Sequence, residues 1–321
     1  MSVVCQGSER RNNQIFRALR RRNAQHKRAT SKNVSASPDQ MQTAKGFLMI
    51  LRPSEAERQI ARNIAVHDKV AGNYEAVHGE IFNDVEQGRL RLAVRRAAGE
   101  VRTGRTPIAA LDFGCGSGNL TGHLLKCGAV VTAADVTPRF LDLVRKRHPA
   151  DRLRTFRLNG IDLDGLDDAS FDLVATYSVL HHIPDYLSAC AEMGRVCRKG
   201  GVVMIDHEMA GEYWDGDAIY AEFRRSALRF DWGKYLTPSN YWHRLRRVFE
   251  PRHSNEGDIH VWPDDHIEWD KITEVMKRNG FEVVVEETYL LYRTLYRREV
   301  YDRFKDRCAD TQLMIFRKVD D

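Results

Sequence analysis

The feature that most constrains the fold is a regular alternation of apolar runs and amphipathic stretches between residues 105 and 208. Each apolar run is continuous, which is typical of strands buried on both faces of a parallel sheet. Two more strand-like runs follow residue 280. The seven runs are IAALDFG, VVTAADV, RLRTFRLNG, FDLVATYS, VVMIDHE, FEVVVEETYLLYR and TQLMIFRKV. We therefore predict an α/β fold built on a doubly wound, seven-stranded sheet.

Helix signals precede and separate these runs. A capping box formed by Ser54 and Glu57 predicts a helix over Glu55–Ala65, and a second helix is expected to start near Asn83. The stretch SACAEMGRVCRKGG predicts a helix that is closed by its paired glycines. The segments between the apolar runs are therefore expected to cover the sheet.

The alternation lapses over residues 209–268, directly after the fifth predicted strand. The five tryptophans lie within or directly beside this window, together with many tyrosines and phenylalanines. A structureless loop of this length is uncommon inside a folded domain. We therefore predict a mostly helical cap, inserted after strand five and packed over the carboxyl ends of the strands.

The net charge of +5 is concentrated at one end of the chain. Residues 1–45 carry a charge of +8 and few bulky apolar side chains, whereas the remaining 276 residues carry −3. We predict that 1–45 is a disordered basic tail and that 46–321 is the functional domain. A solvated tail (or a later start at Met41 or Met49), an organelle transit peptide and a docking arm for nucleic acid are the three alternatives. The nearly neutral domain argues against a nucleic-acid substrate.

Cysteine usage and hydropathy bear on the compartment. The six cysteines are scattered without a CxxC pair, which favours reduced thiols over a disulfide framework. No apolar stretch reaches the roughly 18 residues that a membrane-spanning helix needs. We therefore expect a cytoplasmic protein without a membrane span, or an organelle protein if the basic tail is a transit peptide.

A glycine-rich turn follows the first predicted strand in LDFGCGSGN. Gly114, Gly116 and Gly118 alternate there, two residues after Asp112. Glycine lets the chain bend tightly and lets a ligand lie against bare backbone. The third glycine of the dinucleotide-binding pattern GxGxxG is missing, and no GK[ST] follows as it would in a P-loop.

On these residues the sequence resembles the class I S-adenosylmethionine-dependent methyltransferases, in the small-molecule branch typified by the ubiquinone and menaquinone biosynthesis enzymes. The resemblance covers residues 105–208 and implies a Rossmann-like fold with S-adenosyl-L-methionine as the cofactor. It implies that the three glycines lie against the cofactor and that Asp112 serves its amino-acid end. Asp135, which ends the second strand, would accept hydrogen bonds from both ribose hydroxyls. A helix cap is the alternative role for Asp135.

The resemblance extends to residues around the fourth strand. Tyr177 and His182, in TYSVLHHIPD, occupy the slot that this family places beside the cofactor. The family's acidic residue before SFD has no ungapped match, since Gly160 stands there, and Asp162 is the candidate to replace it. Tyr74 matches a position where related enzymes carry an aromatic lid, with ordinary helix packing as the alternative.

Two histidines are candidates for the chemistry. Methyl transfer to a hydroxyl requires alignment of the reactants and removal of the hydroxyl proton, a task that suits histidine near neutral pH. His207, at the end of the fifth strand, and His181, after the fourth, are the predicted catalytic residues. Hydrogen bonding or packing is the alternative role for each, and no metal ligand set is evident.

The prediction is therefore an S-adenosylmethionine-dependent methyltransferase acting on a small or medium-sized metabolite, at oxygen rather than at carbon or nitrogen. An RNA or protein methyltransferase docked through the basic tail is one alternative. The run TYSVLHH lacks the [DN]PP[YFW] tetrapeptide of nucleobase amino-methylating enzymes, which disfavours that subclass. A non-catalytic binding or scaffold protein that keeps the fold is the other alternative.

Overall fold

The computed structural model describes residues 55–70, 78–214, 217–227 and 267–319. Its strands are β1 Ala109–Phe113, β2 Val130–Asp135, β3 Leu153–Arg157, β4 Phe171–Tyr177, β5 Cys197–Met209, β6 Phe281–Tyr289 and β7 Thr311–Lys318. Its helices are α1 Glu55–Val70, α2 Asp84–Glu100, α3 Asn119–Lys126, α4 Pro138–Arg147, α5 Tyr186–Val196, α6 Gly211–Trp214, α7 Ala218–Ala227, α8 Trp269–Arg278 and α9 Arg298–Phe304.

The strands form one sheet in the order β3-β2-β1-β4-β5-β7-β6. All neighbouring strands are parallel except where β7 runs antiparallel to β5 and β6. The predicted seven-stranded α/β sheet is confirmed. Because the strand order reverses between β1 and β4, the connections after these two strands diverge and leave a crevice at the carboxyl edge of the sheet.

Helices cover the sheet on both faces, as the continuous apolar strands predicted. On one face, Leu90 of α2, Leu124 of α3 and Val144 of α4 are fully buried against the sheet. On the other face, Met193 of α5 and Ile272 of α8 are fully buried. The amphipathic stretches between the strands thus bury their apolar sides, and the sheet with its two helical layers forms the scaffold of the site.

A smaller apolar cluster lies at the carboxyl edge. Tyr220 and Phe223 of α7 pack there with Tyr296 and with Val300 and Phe304 of α9. The described start of the predicted cap is therefore helical and contacts the β6–β7 connection. Most of the window 209–268 lies outside the described residues, so the cap stays a prediction. The tail 1–45 and its boundary at residue 46 also lie outside them.

Two element boundaries differ from the predicted ones. Helix α1 continues to Val70, and α5 ends at Val196 rather than at the paired glycines. Cys197 already belongs to β5, where it is fully buried and pairs with Phe171 of β4. Strand pairing therefore overrides the helical pattern there. Among the described helices, none combines the length and apolarity needed to span a bilayer.

Candidate active site

A cavity of about 160 Å³ opens at the carboxyl edge of the sheet, where the connections after β1, β2 and β4 diverge. It is lined mainly by apolar side chains, with a few polar groups among them. The predicted cofactor residues in its wall are Gly114, Gly116, Asp135, Asp162, Tyr177 and His182.

The glycine turn after β1 forms one wall of this cavity. Gly114, Gly116 and Gly118 all have positive φ angles, at 75°, 48° and 93°. A Cβ atom on Gly114 would lie 2.6 Å from a methyl carbon of Val179, and one on Gly118 would lie 3.0 Å from a methyl carbon of Val144. A Cβ on Gly116 would meet no described atom within 4 Å. Two glycines thus allow close packing, and the third presents bare backbone to the cavity.

Asp135 joins the end of β2 to the glycine turn. Its Oδ2 accepts a hydrogen bond from the Gly116 N–H at 2.9 Å, and its Oδ1 accepts one from the Thr137 N–H at 2.8 Å. Burial raises the pKa of Asp135, while these two N–H groups act in the opposite direction. Each carboxylate oxygen can accept a second hydrogen bond. The oriented carboxylate can therefore receive two neighbouring hydroxyl groups.

Asp112 lies beneath the glycine turn and does not line the cavity. Its Oδ2 accepts a hydrogen bond from the Thr121 hydroxyl at 2.5 Å, and its buried Oδ1 has no partner among the described residues. Burial raises the pKa of Asp112 to about 7, with a smaller contribution in the same direction from the charge of Asp135. Such a group gains from a cationic partner close to the turn.

The turn after β4 is held by Glu208 of β5. Glu208 Oε1 accepts hydrogen bonds from the N–H groups of Val179 at 2.8 Å and Leu180 at 2.7 Å, and Oε2 lies 2.7 Å from His181 Nδ1. The ring of His182, which lines the cavity, lies 4.0 Å from the His181 ring. One fully buried carboxylate thus positions both the cavity wall and the first of the paired histidines.

A β-bulge in β5 places Asp206 and Glu208, two residues apart, on opposite faces of the sheet. The register of β5 against β7 shifts between Ile205 and Glu208, and His207 has a left-handed φ of 63°. Residues two apart on a regular strand share a face. The extra residue of the bulge changes this, because Asp206 bonds Arg89 on one face while Glu208 bonds the post-β4 turn on the other.

A buried ionic cluster occupies the α2 side of this bulge. Arg89 donates to both carboxylate oxygens of Asp206, at 3.2 and 3.1 Å, and to Glu86 at 2.9 Å. The Tyr289 hydroxyl donates to Asp206 at 3.1 Å, and the Arg89 guanidinium stacks 3.8 Å from the centre of the Tyr289 ring. Burial opposes the charge of Arg89, but Asp206 holds its pKa above the ordinary value. The cluster ties α2, β5 and β6 together.

His207 lies between this cluster and the cofactor cavity. Its ring packs 4.6 Å from the ring of Tyr177, which lines the cavity, and its enclosed Nε2 has no partner among the described residues. Burial lowers the pKa of His207 well below its usual range, and Arg89, His181 and Arg293 add to the effect. The two predicted catalytic histidines therefore differ: His181 is paired with a carboxylate, whereas His207 is kept neutral.

The connection after β3 brings Asp162 to the cavity edge. Asp162 is exposed, and its Oδ1 accepts hydrogen bonds from Asn159 Nδ2 at 2.6 Å and from the Asp164 N–H at 3.0 Å. Gly160, which also lines the cavity, packs so closely that a Cβ would lie 2.8 Å from Ile60. The proposed role of Asp162 toward the adenine of the cofactor stays a prediction.

Two residues of the cavity were missed by sequence reasoning. His67 of α1 lies in the wall with its ring 5.9 Å from that of His182. Asn119 accepts a hydrogen bond from Gln87 Nε2 at 2.9 Å, and its enclosed Nδ2 has no partner among the described residues. The position of Asn119, directly after the glycine turn, was the available signal. Tyr74 lies outside the described residues.

These features fit the cofactor that the resemblance implies. A nucleoside with a charged amino-acid end matches the oriented Asp135 carboxylate, the bare backbone of Gly116 and the unpartnered oxygen of Asp112. Within the described part of the chain, no three His, Cys, Asp or Glu side chains are grouped as a metal site requires.

Residues 111–205 match the methyltransferase domain family. Malonyl-[acyl-carrier protein] O-methyltransferase of Serratia marcescens is 36% identical over 34% of this chain, and the chain spans 42% of that relative's length. Demethylmenaquinone methyltransferase of Tropheryma whipplei is 29% identical over 52% of this chain and 72% of its own. Ubiquinone biosynthesis O-methyltransferase of Methylocella silvestris is 34% identical over 30% of this chain and 38% of its own length.

Two solved structures share the fold. A methyltransferase of Haloferax volcanii, in complex with the activator Trm112, superposes with a TM-score of 0.52 over 81% of this chain and 98% of its own at 14% identity. The [4+2]-cyclase SpnF superposes with a TM-score of 0.51 over 83% of this chain and 97% of its own, also at 14% identity. With the fold, the cavity and the family match in agreement, residues 111–205 form a methyltransferase domain, and the chain is similar to class I S-adenosylmethionine-dependent methyltransferases, which implies S-adenosyl-L-methionine as the cofactor.

Proposed function

We propose that this chain methylates a hydroxyl oxygen of a small or medium-sized metabolite. The fold alone does not fix the reaction, since one structure that shares it is named a cyclase. The observation that carries the proposal is the pair formed by Glu208 and His181 next to the cofactor cavity, with 2.7 Å between Oε2 and Nδ1. Two of the relatives are named O-methyltransferases, which supports oxygen as the acceptor.

The cavity residues supply binding and orientation. Asp135 accepts the ribose hydroxyls, Gly116 offers close backbone contact, and Asp112 faces the amino-acid end through the turn. Tyr177 and His182 close the wall toward the acceptor. When bound, S-adenosylmethionine supplies a methyl group made electrophilic by the positively charged sulfur.

The Glu208–His181 pair supplies the base. Glu208 already accepts two backbone hydrogen bonds as a carboxylate, so it also accepts the Nδ1 proton of His181. That tautomer leaves the lone pair of His181 on Nε2, where it can take the proton of an acceptor hydroxyl. The carboxylate also stabilises the imidazolium that forms.

The cofactor part of the proposal is tested by binding. Calorimetric titration of the full chain with S-adenosylhomocysteine should show binding, and Asp135→Ala should weaken it by about 1–3 kcal/mol, since hydrogen bonds to a buried carboxylate are lost. Absence of binding to the wild type would overturn the proposed function and favour a scaffold role.

The base is tested by turnover. Methyl transfer from S-adenosylmethionine labelled in its methyl group is measured against paired hydroxyl and amine compounds. We expect transfer to hydroxyl compounds, and a fall of about 10²–10⁴-fold in His181→Ala. Affinity for S-adenosylhomocysteine should stay within threefold of wild type. Equal turnover in the variant would remove His181 from the mechanism, and transfer to the amines alone would exclude oxygen as the acceptor.

A further inference from the structure

Two residues with left-handed backbone lie side by side at the carboxyl edge of the sheet. Among the residues that the structure describes, three other than glycine have a positive φ: Ala169 at 49°, Ser178 at 60° and His207 at 63°. The residues before the last two, Tyr177 of β4 and Asp206 of β5, are partners in the parallel register. Left-handed backbone is unfavourable for any residue with a Cβ, so it persists only where other contacts hold it. The surroundings of this pair therefore maintain it.

The side chain of Asp206 holds the left-handed backbone of His207. Its fully buried Oδ1 accepts a hydrogen bond from the His207 N–H at 2.8 Å. The same carboxylate is fixed by Arg89, which donates to both oxygens, and by the Tyr289 hydroxyl, which donates to Oδ1. Because these bonds prevent rotation of the carboxylate, the His207 N–H stays directed toward it, and the bulge in β5 keeps its shape.

The bulge places two anchors of the turn after β4. The carbonyl of Asp206 accepts a hydrogen bond from the Ser178 N–H at 3.0 Å, and Glu208 Oε1 accepts the next two N–H groups of the turn. His207 is the residue between these anchors. Residues two apart on a regular strand share a face, so an extended His207 would turn Glu208 toward α2 and away from the turn. The left-handed residue therefore keeps Glu208 in place.

The turn that these anchors hold belongs to the site. Ser178 lines the cofactor cavity, as does Tyr177, whose ring packs 4.6 Å from that of His207. Glu208 Oε2 lies 2.7 Å from His181 Nδ1. A change in the shape of the bulge would therefore move the carboxylate that orients His181.

On these contacts we infer that Asp206 is a positioning residue for methyl transfer. Its carboxylate keeps His207 left-handed, which directs Glu208 to the turn after β4, and Glu208 orients His181. Asp206 does not line the cofactor cavity, so it acts through Glu208. The inference rests on the proposed function, in which His181 is the base, and adds the residue on which the orientation of that base depends.

The test follows the Nδ1 proton of His181 in the full chain saturated with S-adenosylhomocysteine. Histidine rings are labelled with ¹⁵N, and the signal is identified by its loss in His181→Ala. Asp206→Asn should speed exchange of this proton with water by about tenfold or more, because Glu208 no longer stays at the turn. The kcat for hydroxyl compounds should fall about tenfold or more, while the KM for S-adenosylmethionine stays within about threefold.

The first control separates positioning from a general loss of stability. Asp172, near the amino end of β4, is also fully buried and accepts a hydrogen bond from an arginine, Arg198, at 3.0 Å. Asp172→Asn therefore removes a comparable buried charge at the opposite edge of the sheet. It should leave the exchange of the His181 proton at the wild-type rate.

The second control tests the left-handed residue itself. His207→Gly and His207→Ala both remove the ring, but only glycine adopts a left-handed φ readily. Adding Asp206→Asn to His207→Gly should therefore leave the exchange rate of that single variant unchanged. Adding it to His207→Ala should still speed exchange by about tenfold.

Three results would each overturn the inference: wild-type exchange in Asp206→Asn, equal acceleration in Asp172→Asn, or equal rescue by glycine and alanine. If Asp206→Asn does not fold, Arg89→Lys replaces it, since lysine keeps the charge but loses the fork that fixes both oxygens of Asp206. Unchanged exchange in Arg89→Lys would then overturn the inference. A wild type that transfers no methyl group to hydroxyl compounds would overturn the proposed function, whereas the exchange rates alone decide whether Asp206 orients His181.

Discussion

The two halves of the site are built by different means. The cofactor half, residues 109–182, is shaped by backbone geometry, namely positive φ angles, close approach of glycines and N–H groups that orient one carboxylate. The proposed acceptor half, residues 197–319 where described, contains buried charged side chains in β5 and the β6–β7 connection. Backbone geometry serves one constant ligand, whereas side chains can be exchanged to suit an acceptor.

The largest expected effect tests the cofactor half. Gly114→Ala should remove detectable S-adenosylhomocysteine binding, because the new Cβ would lie 2.6 Å from Val179 at a φ of 75°. Gly99→Ala, in a helix with no described atom within 4 Å, is the control and should bind as wild type. Calorimetry measures affinity, and circular dichroism checks the fold. Unchanged affinity in a folded Gly114→Ala protein would show that this half does not depend on close backbone packing.

A second variant probes the residue that joins the halves. The oxygen of the side chain in Glu208→Gln can still accept the N–H groups of Val179 and Leu180, so the cavity wall keeps its shape. Its amide group donates to His181 Nδ1 instead of accepting from it, which inverts the tautomer. Turnover should fall by about 10²-fold or more, while S-adenosylhomocysteine affinity stays within threefold. A loss of affinity as large as the loss of turnover would make Glu208 a structural residue of the cofactor half alone.

The pKa of Asp112 gives a smaller effect with a defined sign. Its folded-state pKa of about 7 lies above the ordinary value near 4, so the folded protein holds the proton more tightly. The free energy of unfolding should therefore fall as the pH rises from about 4 to about 7, relative to Asp112→Asn. Urea unfolding of both proteins across this range measures the difference. Saturation with S-adenosylhomocysteine should reduce this pH-dependent difference between the two proteins, since the ammonium group of the ligand favours the ionised form of the Asp112 carboxyl group.

An equal pH profile in both proteins would mean that Asp112 titrates near its ordinary value, and that the turn does not bury its charge. A profile unaltered by the ligand would place the amino-acid end of the cofactor elsewhere.

The same contrast explains what sequence reasoning recovered. The strands of the cofactor half were predicted because continuous apolar runs and alternating glycines leave a local pattern, and Asp135 ends its strand as expected. The buried ionic cluster was missed, since Glu86, Asp206 and Tyr289 come from α2, β5 and β6, which meet only in the folded chain.

The bulge at His207 was missed for a related reason. The alternation in VVMIDHE predicts a regular strand, in which Asp206 and Glu208 share a face. Pairing with β7 inserts His207 as an extra residue and sends the two carboxylates to opposite faces. The register of an antiparallel partner more than 100 residues away is not encoded in the strand itself. Sequence reasoning therefore named His207 and His181 together, but could not separate their environments.

The smallest expected effect concerns Asp162, where the cofactor half departs from backbone recognition. The side chain is exposed and already accepts bonds from Asn159 and the Asp164 N–H, so one more hydrogen bond to an adenine amino group adds only about 0.5–1 kcal/mol. Asp162→Ala should therefore raise the Kd for S-adenosylhomocysteine about two- to fivefold, and Asp164→Ala, an exposed neighbour outside the cavity wall, should not. If both variants bind as wild type, adenine is recognised by shape and backbone alone, and the cofactor half then uses no side chain for that recognition.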